Sequence, residues 1–168
     1  GDVRDALLPF TYTRPVADIR IGILTIREKW EKRLGLTTTT LTEEYLEEKY
    51  PMVEMEVNIM INASFLPTDP LFLLIKKLRI NQDVFFSDKV VAFFATNSQE
   101  VKNLDDYEHI TFNEELVQVK NTYDIFSLND AAIKQDFDFL TKGRKSATIS
   151  DSVNCVDRKN IFIEEGAV

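Results

Sequence analysis

Across residues 22–34, apolar side chains return at helical spacing as Ile23, Ile26, Trp30 and Leu34. That stripe predicts an amphipathic helix over 22–34, supported by the i,i+4 pair Glu28 and Lys32 and stopped at Gly35. Thr40 and Glu43 fit a capping box for a short helix ending before Pro51. Over 53–61 the period changes to two. Val53, Met55, Val57, Ile59 and Ile61 alternate with Glu54, Glu56, Asn58 and Met60, which predicts a strand. Asp69 and Pro70 then open a helix that runs to about 78. Residues 82–86 and 89–95 read as a hairpin turning at Ser87 and Asp88, and short strands are predicted at 110–112 and 116–119. A further helix, capped by Asn129 or Asp130, carries Ala132, Ile133, Phe137 and Leu140.

Two other segments lack such periodicity. Residues 4–20 hold Pro9 and Pro15 with Thr11 and Thr13 between them, and proline's fixed φ and missing donor predict an irregular loop. From Lys142 the chain becomes polar and small. Strands alternating with helices predict an α/β fold with a mainly parallel sheet. The expected organisation is an α/β domain over 1–141, a linker over 142–159 and a separate element over 160–168.

Composition narrows the function. The chain has 168 residues and a net charge of −8, which argues against a nucleic-acid partner. Residues 1–35 nevertheless carry seven basic and five acidic groups, so a small anion would find its cations there. No apolar run is long enough for a membrane span. The single cysteine, Cys155, cannot form an internal disulfide and points to a reduced, cytoplasmic setting. Twelve phenylalanines predict a core rich in aromatic side chains. His109, the only histidine, has no nucleophile pattern beside it and reads as a solvated or hydrogen-bonded side chain. The acidic pairs Asp105-Asp106 and Glu114-Glu115 read as solvated loop charges.

The run Leu7-Leu8-Pro9-Phe10-Thr11-Tyr12-Thr13-Arg14-Pro15-Val16-Ala17 resembles the signature loop of sugar-1-phosphate nucleotidyltransferases. Leu7, Pro9, Thr11 and Pro15 match in register. The family's loop glycines fall on Asp2 and Arg4, its arginine on Ala6 and its lysine on Val16. Ile61-Asn62-Ala63-Ser64 ends the predicted strand where the family has a metal-holding aspartate, here Ser64. Ser127-Leu128-Asn129-Asp130 resembles the segment whose asparagine is the second metal ligand, here Asn129. Residues 160–168 look like one rung of a left-handed β-helix, so the chain is expected to be a fragment at both ends. That order is similar to the bifunctional N-acetylglucosamine-1-phosphate uridyltransferase/glucosamine-1-phosphate acetyltransferase group, in its divergent GlmU-like branch.

The resemblance implies a Rossmann-like domain that uses Mg²⁺ to join a nucleotide to a sugar 1-phosphate and release pyrophosphate. The pairs it implies are N-acetylglucosamine or glucose 1-phosphate with UTP or dTTP. Thr11, Arg14 and Arg4 are the expected substrate-binding residues, and Asn129 the expected metal ligand. Three of them have a plainer reading: Thr11 and Asn129 as backbone caps, Arg14 as one side of a surface ion pair. Because the glycines, arginine, lysine and aspartate are replaced, the alternative is a catalytically degenerate binding or structural domain. It would be attached to a β-helix acyltransferase, trimeric through the helix.

Overall fold

A computed structural model describes residues 3–96, 104–150 and 152–167. The first segment folds as three 3₁₀ turns, Asp5–Leu7, Phe10–Tyr12 and Val16–Asp18. Helix α1 follows at Ile26–Leu34. It starts four residues later than predicted because Gly22 takes a positive φ of 79° and Thr25 caps the helix instead. The Thr25 hydroxyl accepts from the Glu28 amide, and the Glu28 carboxylate accepts from the Thr25 amide, completing a capping box. Gly35 ends the helix in the left-handed conformation, as the sequence predicted.

Helix α2, Glu44–Glu47, is a single turn whose expected Thr40–Glu43 box does not form. The Thr40 hydroxyl is taken by Arg27 instead. Strand β1 spans only Asn58–Ile61. The alternation at 53–57 fails to become strand because the Asn58 side chain closes a turn on Met55, bonding its amide at 3.1 Å and its carbonyl at 2.6 Å. Helix α3, Asp69–Ile75, has Pro70 in its first turn and is capped by Thr68 rather than Asp69. Strands β2, Gln82–Phe86, and β3, Lys89–Ala95, form the predicted hairpin. Strand β4 is Glu108–Thr111. The predicted strand at 116–119 reduces to one bridge, between Gln118 and Phe65. Helices α4, Thr122–Ser127, and α5, Asn129–Thr141, close the domain.

The four strands form one sheet in the order β1-β3-β2-β4. Here the mainly parallel expectation is corrected. β1 and β2 both run antiparallel to β3, and only β2 with β4 is parallel. The cause is the tight β2–β3 turn, which forces an antiparallel pair, and the attachment of β1 to the free edge of β3. The result is an α/β domain with a mixed sheet, compatible with a Rossmann-like nucleotidyltransferase domain.

Leu7, Ile21, Ile26, Phe65, Leu71, Ile75, Val84 and Val91 are fully buried at the centre of the core. The aromatic core is smaller than twelve phenylalanines suggest. Of the phenylalanines only Phe65, Phe93 and Phe112 are buried, and Phe126 is 87% exposed. Beyond α5 the predicted linker is tied down. The Ala147 amide donates to the Ile163 carbonyl at 2.9 Å, and the Ile163 amide to the Ser146 hydroxyl at 2.9 Å. Arg144 pairs with Glu164 and stacks on Phe162. None of the described residues after Thr141 lies in a strand.

Candidate functional site

A cleft of about 370 Å³ opens where the N-terminal loop, α1, residues 38–43 and the end of β1 meet. The loop reaches it because buried contacts fix its turns. Leu7 is fully buried, and the Thr11 hydroxyl, also fully buried, donates to the Arg4 carbonyl at 2.7 Å. Thr11 therefore shapes the turn that presents Arg4 and does not itself line the cleft.

Three arginines line the cleft: Arg4, Arg14 and Arg27. Two are spoken for. Arg4 donates to the Tyr45 hydroxyl at 2.7 Å and lies 3.1 Å from the Asp5 carboxylate and 3.4 Å from that of Glu43. Burial works against its charge, but the Tyr45 hydroxyl and the two carboxylates outweigh it and raise the guanidinium above its ordinary value. Arg27 bonds Asp18 at 2.6 Å, the Thr38 carbonyl at 2.9 Å, and the hydroxyls of Thr38 and Thr40. Arg14 is different. It is exposed and makes no hydrogen bond or ion pair with any described residue. Glu43 is the only acidic residue among those lining the cleft, but Asp5 also pairs with Arg4 and Asp18 with Arg27, which leaves Arg14 as the cleft guanidinium with no carboxylate partner among the described residues.

The positions singled out by the resemblance divide in two. Arg4, Arg14, Val16 and Ser64 come together in the cleft. Asn129 does not line it. Its side-chain oxygen accepts from the Gly22 amide at 2.8 Å, so Asn129 anchors the turn before α1. Ser64 lies three residues past the end of β1, and its hydroxyl donates to Asn62 and accepts from Gln118, each at 2.8 Å. Mg²⁺ is usually held by one or two carboxylates together with substrate phosphates and water. The cleft supplies one carboxylate, already beside Arg4, and a serine whose hydroxyl is committed. Among the described residues no group of three or more His, Cys, Asp or Glu could hold a metal ion. Among the described residues, Glu43 is the only cleft carboxylate that could help to hold Mg²⁺.

From the sequence, Thr40 and Glu43 read only as a capping box, and Arg27 and the rest of the cleft wall at 38–42 were given no role. The available signal was the run Thr37-Thr38-Thr39-Thr40, four hydroxyls in a row just after a helix stop. Elsewhere, His109 Nδ1 lies 2.8 Å from the buried Asp83 carboxylate, and Cys155 is a half-buried free thiol.

No described helix is long and apolar enough to cross a membrane. No curated protein and no solved structure matches the chain. A family model does: that of the sugar nucleotidyl transferases matches residues 1–145, and the chain belongs to that family.

Proposed function

We propose that the cleft binds a phosphorylated sugar or nucleotide, and that the described residues hold this ligand rather than drive nucleotidyl transfer. The observation that carries the reading is Arg14, the one cleft arginine with no partner among the described residues. A guanidinium fork matches phosphate oxygens two at a time, and a free one needs no protein contact broken before it binds. Arg4 is held by three partners, two of them carboxylates, so it adds little net charge.

Transfer is disfavoured at three positions. The place of the family arginine is Ala6, which is exposed; that of the lysine is Val16, apolar and in the cleft; that of the aspartate is Ser64. Phosphoryl chemistry depends on cations set around the reacting phosphate, and these three side chains supply none and hold no metal. In the GlmU-like setting, such a domain would cap a trimeric left-handed β-helix and bind sugar nucleotide for it.

The second reading is transfer itself. A sugar 1-phosphate oxygen attacks the α-phosphorus of UTP or dTTP in line, and pyrophosphate leaves. Three arginines in one cleft favour it, with Arg14 steadying phosphate charge.

Thermal shift and pyrophosphate release separate the two. The binding reading expects UTP, dTTP, glucose 1-phosphate or N-acetylglucosamine 1-phosphate to raise Tm without pyrophosphate release. Arg14→Ala should remove about 1.5–3 kcal/mol of charge-assisted bonding, on the order of a 10- to 100-fold loss of affinity. Pyrophosphate release abolished by Arg14→Ala would establish transfer instead. Neither shift nor turnover would sink both readings.

A further inference from the structure

Residues 38–42 form a cleft wall without a ladder. No backbone–backbone hydrogen bond to any described residue anchors them. Side chains of α1 hold the wall instead. Arg27 takes the Thr38 carbonyl and the hydroxyls of Thr38 and Thr40, while its Nε is fixed by Asp18. Glu31, one turn further along the same helix face, accepts from the Thr38 amide at 2.7 Å and its hydroxyl at 3.0 Å. Thr39 turns the other way and exchanges two bonds with Val53.

The wall's remaining polar groups are unspent. The amides of Thr39, Thr40, Leu41 and Thr42 have no hydrogen-bond partner among the described residues, and neither has the Thr42 hydroxyl. All four residues line the cleft. A cleft wall of spare N–H and O–H donors suits a ligand rich in oxygen acceptors.

We propose that Arg27 is the positioning residue of this wall. Together with Glu31 it fixes 38–42 so that the free amides and the Thr42 hydroxyl meet the hydroxyl and phosphoryl oxygens of the ligand. This rests on the reading that the cleft binds a phosphorylated sugar or nucleotide. Arg27 does not contact the ligand itself; its donors go to Asp18, Thr38 and Thr40. Only a planar fork reaches all three at once, so lysine, though charged, cannot replace it.

The test uses Arg27→Lys, Thr40→Val and their combination, with UTP and glucose 1-phosphate as probes. Backbone order parameters from ¹⁵N relaxation read the wall directly. In the parent protein the 38–42 amides should sit near about 0.85, and in Arg27→Lys they should fall below about 0.6, with α1 and the sheet unchanged. Each single change should weaken probe binding at least about ten-fold. The double variant should be no weaker than Arg27→Lys within about two-fold, because both remove one linkage. Thr40→Ser, which keeps the hydroxyl, should bind as the parent does. If Arg27→Lys fails to fold, Thr40→Val and Thr40→Ser carry the comparison. Unchanged order parameters at 38–42 would overturn the latch, and multiplicative losses in the double variant would overturn its route through Thr40. If neither probe binds the parent, the cleft reading falls and takes the wall's ligand role with it. The order parameters would still decide whether Arg27 holds the wall.

Discussion

Lys29 of α1 and Asp136 of α5 form an ion pair that water barely reaches, their side chains being 4% and 3% exposed. The same Asp136 carboxylate also accepts from the amides of Ile23 at 2.9 Å and Leu24 at 3.1 Å. One side chain thus fixes both the start of α1 and the turn before it, and α1 carries Arg27 to the cleft. Burial lowers the Lys29 pKa from its ordinary value, and the bond to Asp136 opposes that. Asp136→Ala should strip the charge partner and leave two backbone donors without an acceptor. The expected loss is about 3–5 kcal/mol by chemical denaturation. A loss under about 1 kcal/mol would mean that the pair does not hold the two helices together.

Gly22 lies in the same turn. Its φ is +79°, and a Cβ there would stand 2.6 Å from an Asp136 carboxylate oxygen and 2.8 Å from the Ala132 carbonyl carbon. Gly22→Ala should therefore cost about 2–4 kcal/mol, combining backbone strain with overpacking. Gly143 has a similar φ of +72° but nothing within 4 Å, so Gly143→Ala should cost only the strain, about 1–2 kcal/mol. Equal losses in the two variants would show that crowding at Gly22 is absent.

Glu28 makes stability depend on pH. The Thr25 amide, and to a lesser degree Arg20 and Lys32, hold its carboxyl below the ordinary 4.5, against the opposing effect of burial. A carboxylate with a depressed folded pKa stabilises the fold above its ordinary value and loses that contribution as pH falls through the folded one. Glu28→Gln should thus be less stable than the parent near neutrality. The gap in Tm should narrow as pH drops from about 7 to about 3. A gap constant with pH would show that the capping carboxylate carries no special stabilisation.

Trp30, the only tryptophan, is 4% exposed, and its indole N–H donates to the Phe65 carbonyl at 3.1 Å. Trp30→Phe keeps an aromatic ring but strands that carbonyl beside a fully buried residue. The expected cost is about 1–3 kcal/mol, measured by urea unfolding followed by circular dichroism. Because Trp30 also lines the cleft, its emission in the parent should change when UTP or glucose 1-phosphate binds. A saturating Tm shift with unchanged emission would place the ligand away from Trp30.

Local chemistry made part of this legible in advance. The apolar stripe of α1 with its Gly35 stop, the hairpin turning at Ser87 and Asp88, and the proline-punctuated loop from Leu7 to Ala17 all follow from neighbours a few residues apart. Placing Arg14 on that loop was likewise a local matter. Residue spacing could not decide how donors and acceptors would be shared between distant segments. Asn129 read as a metal ligand or a helix cap, yet its oxygen goes to Gly22, 107 positions earlier. Thr40 read as a helix cap, yet its hydroxyl goes to Arg27. The 53–61 alternation promised a long strand, and a local Asn58 turn cut it short. The same holds for strand direction, which was settled by β1 joining the open edge of β3. Periodicity constrains which face of an element is buried, because that depends only on side-chain order. Which lone pair meets which N–H depends on the final packing, and that packing alone left Arg14 without a partner among the described residues while binding Arg4 and Arg27.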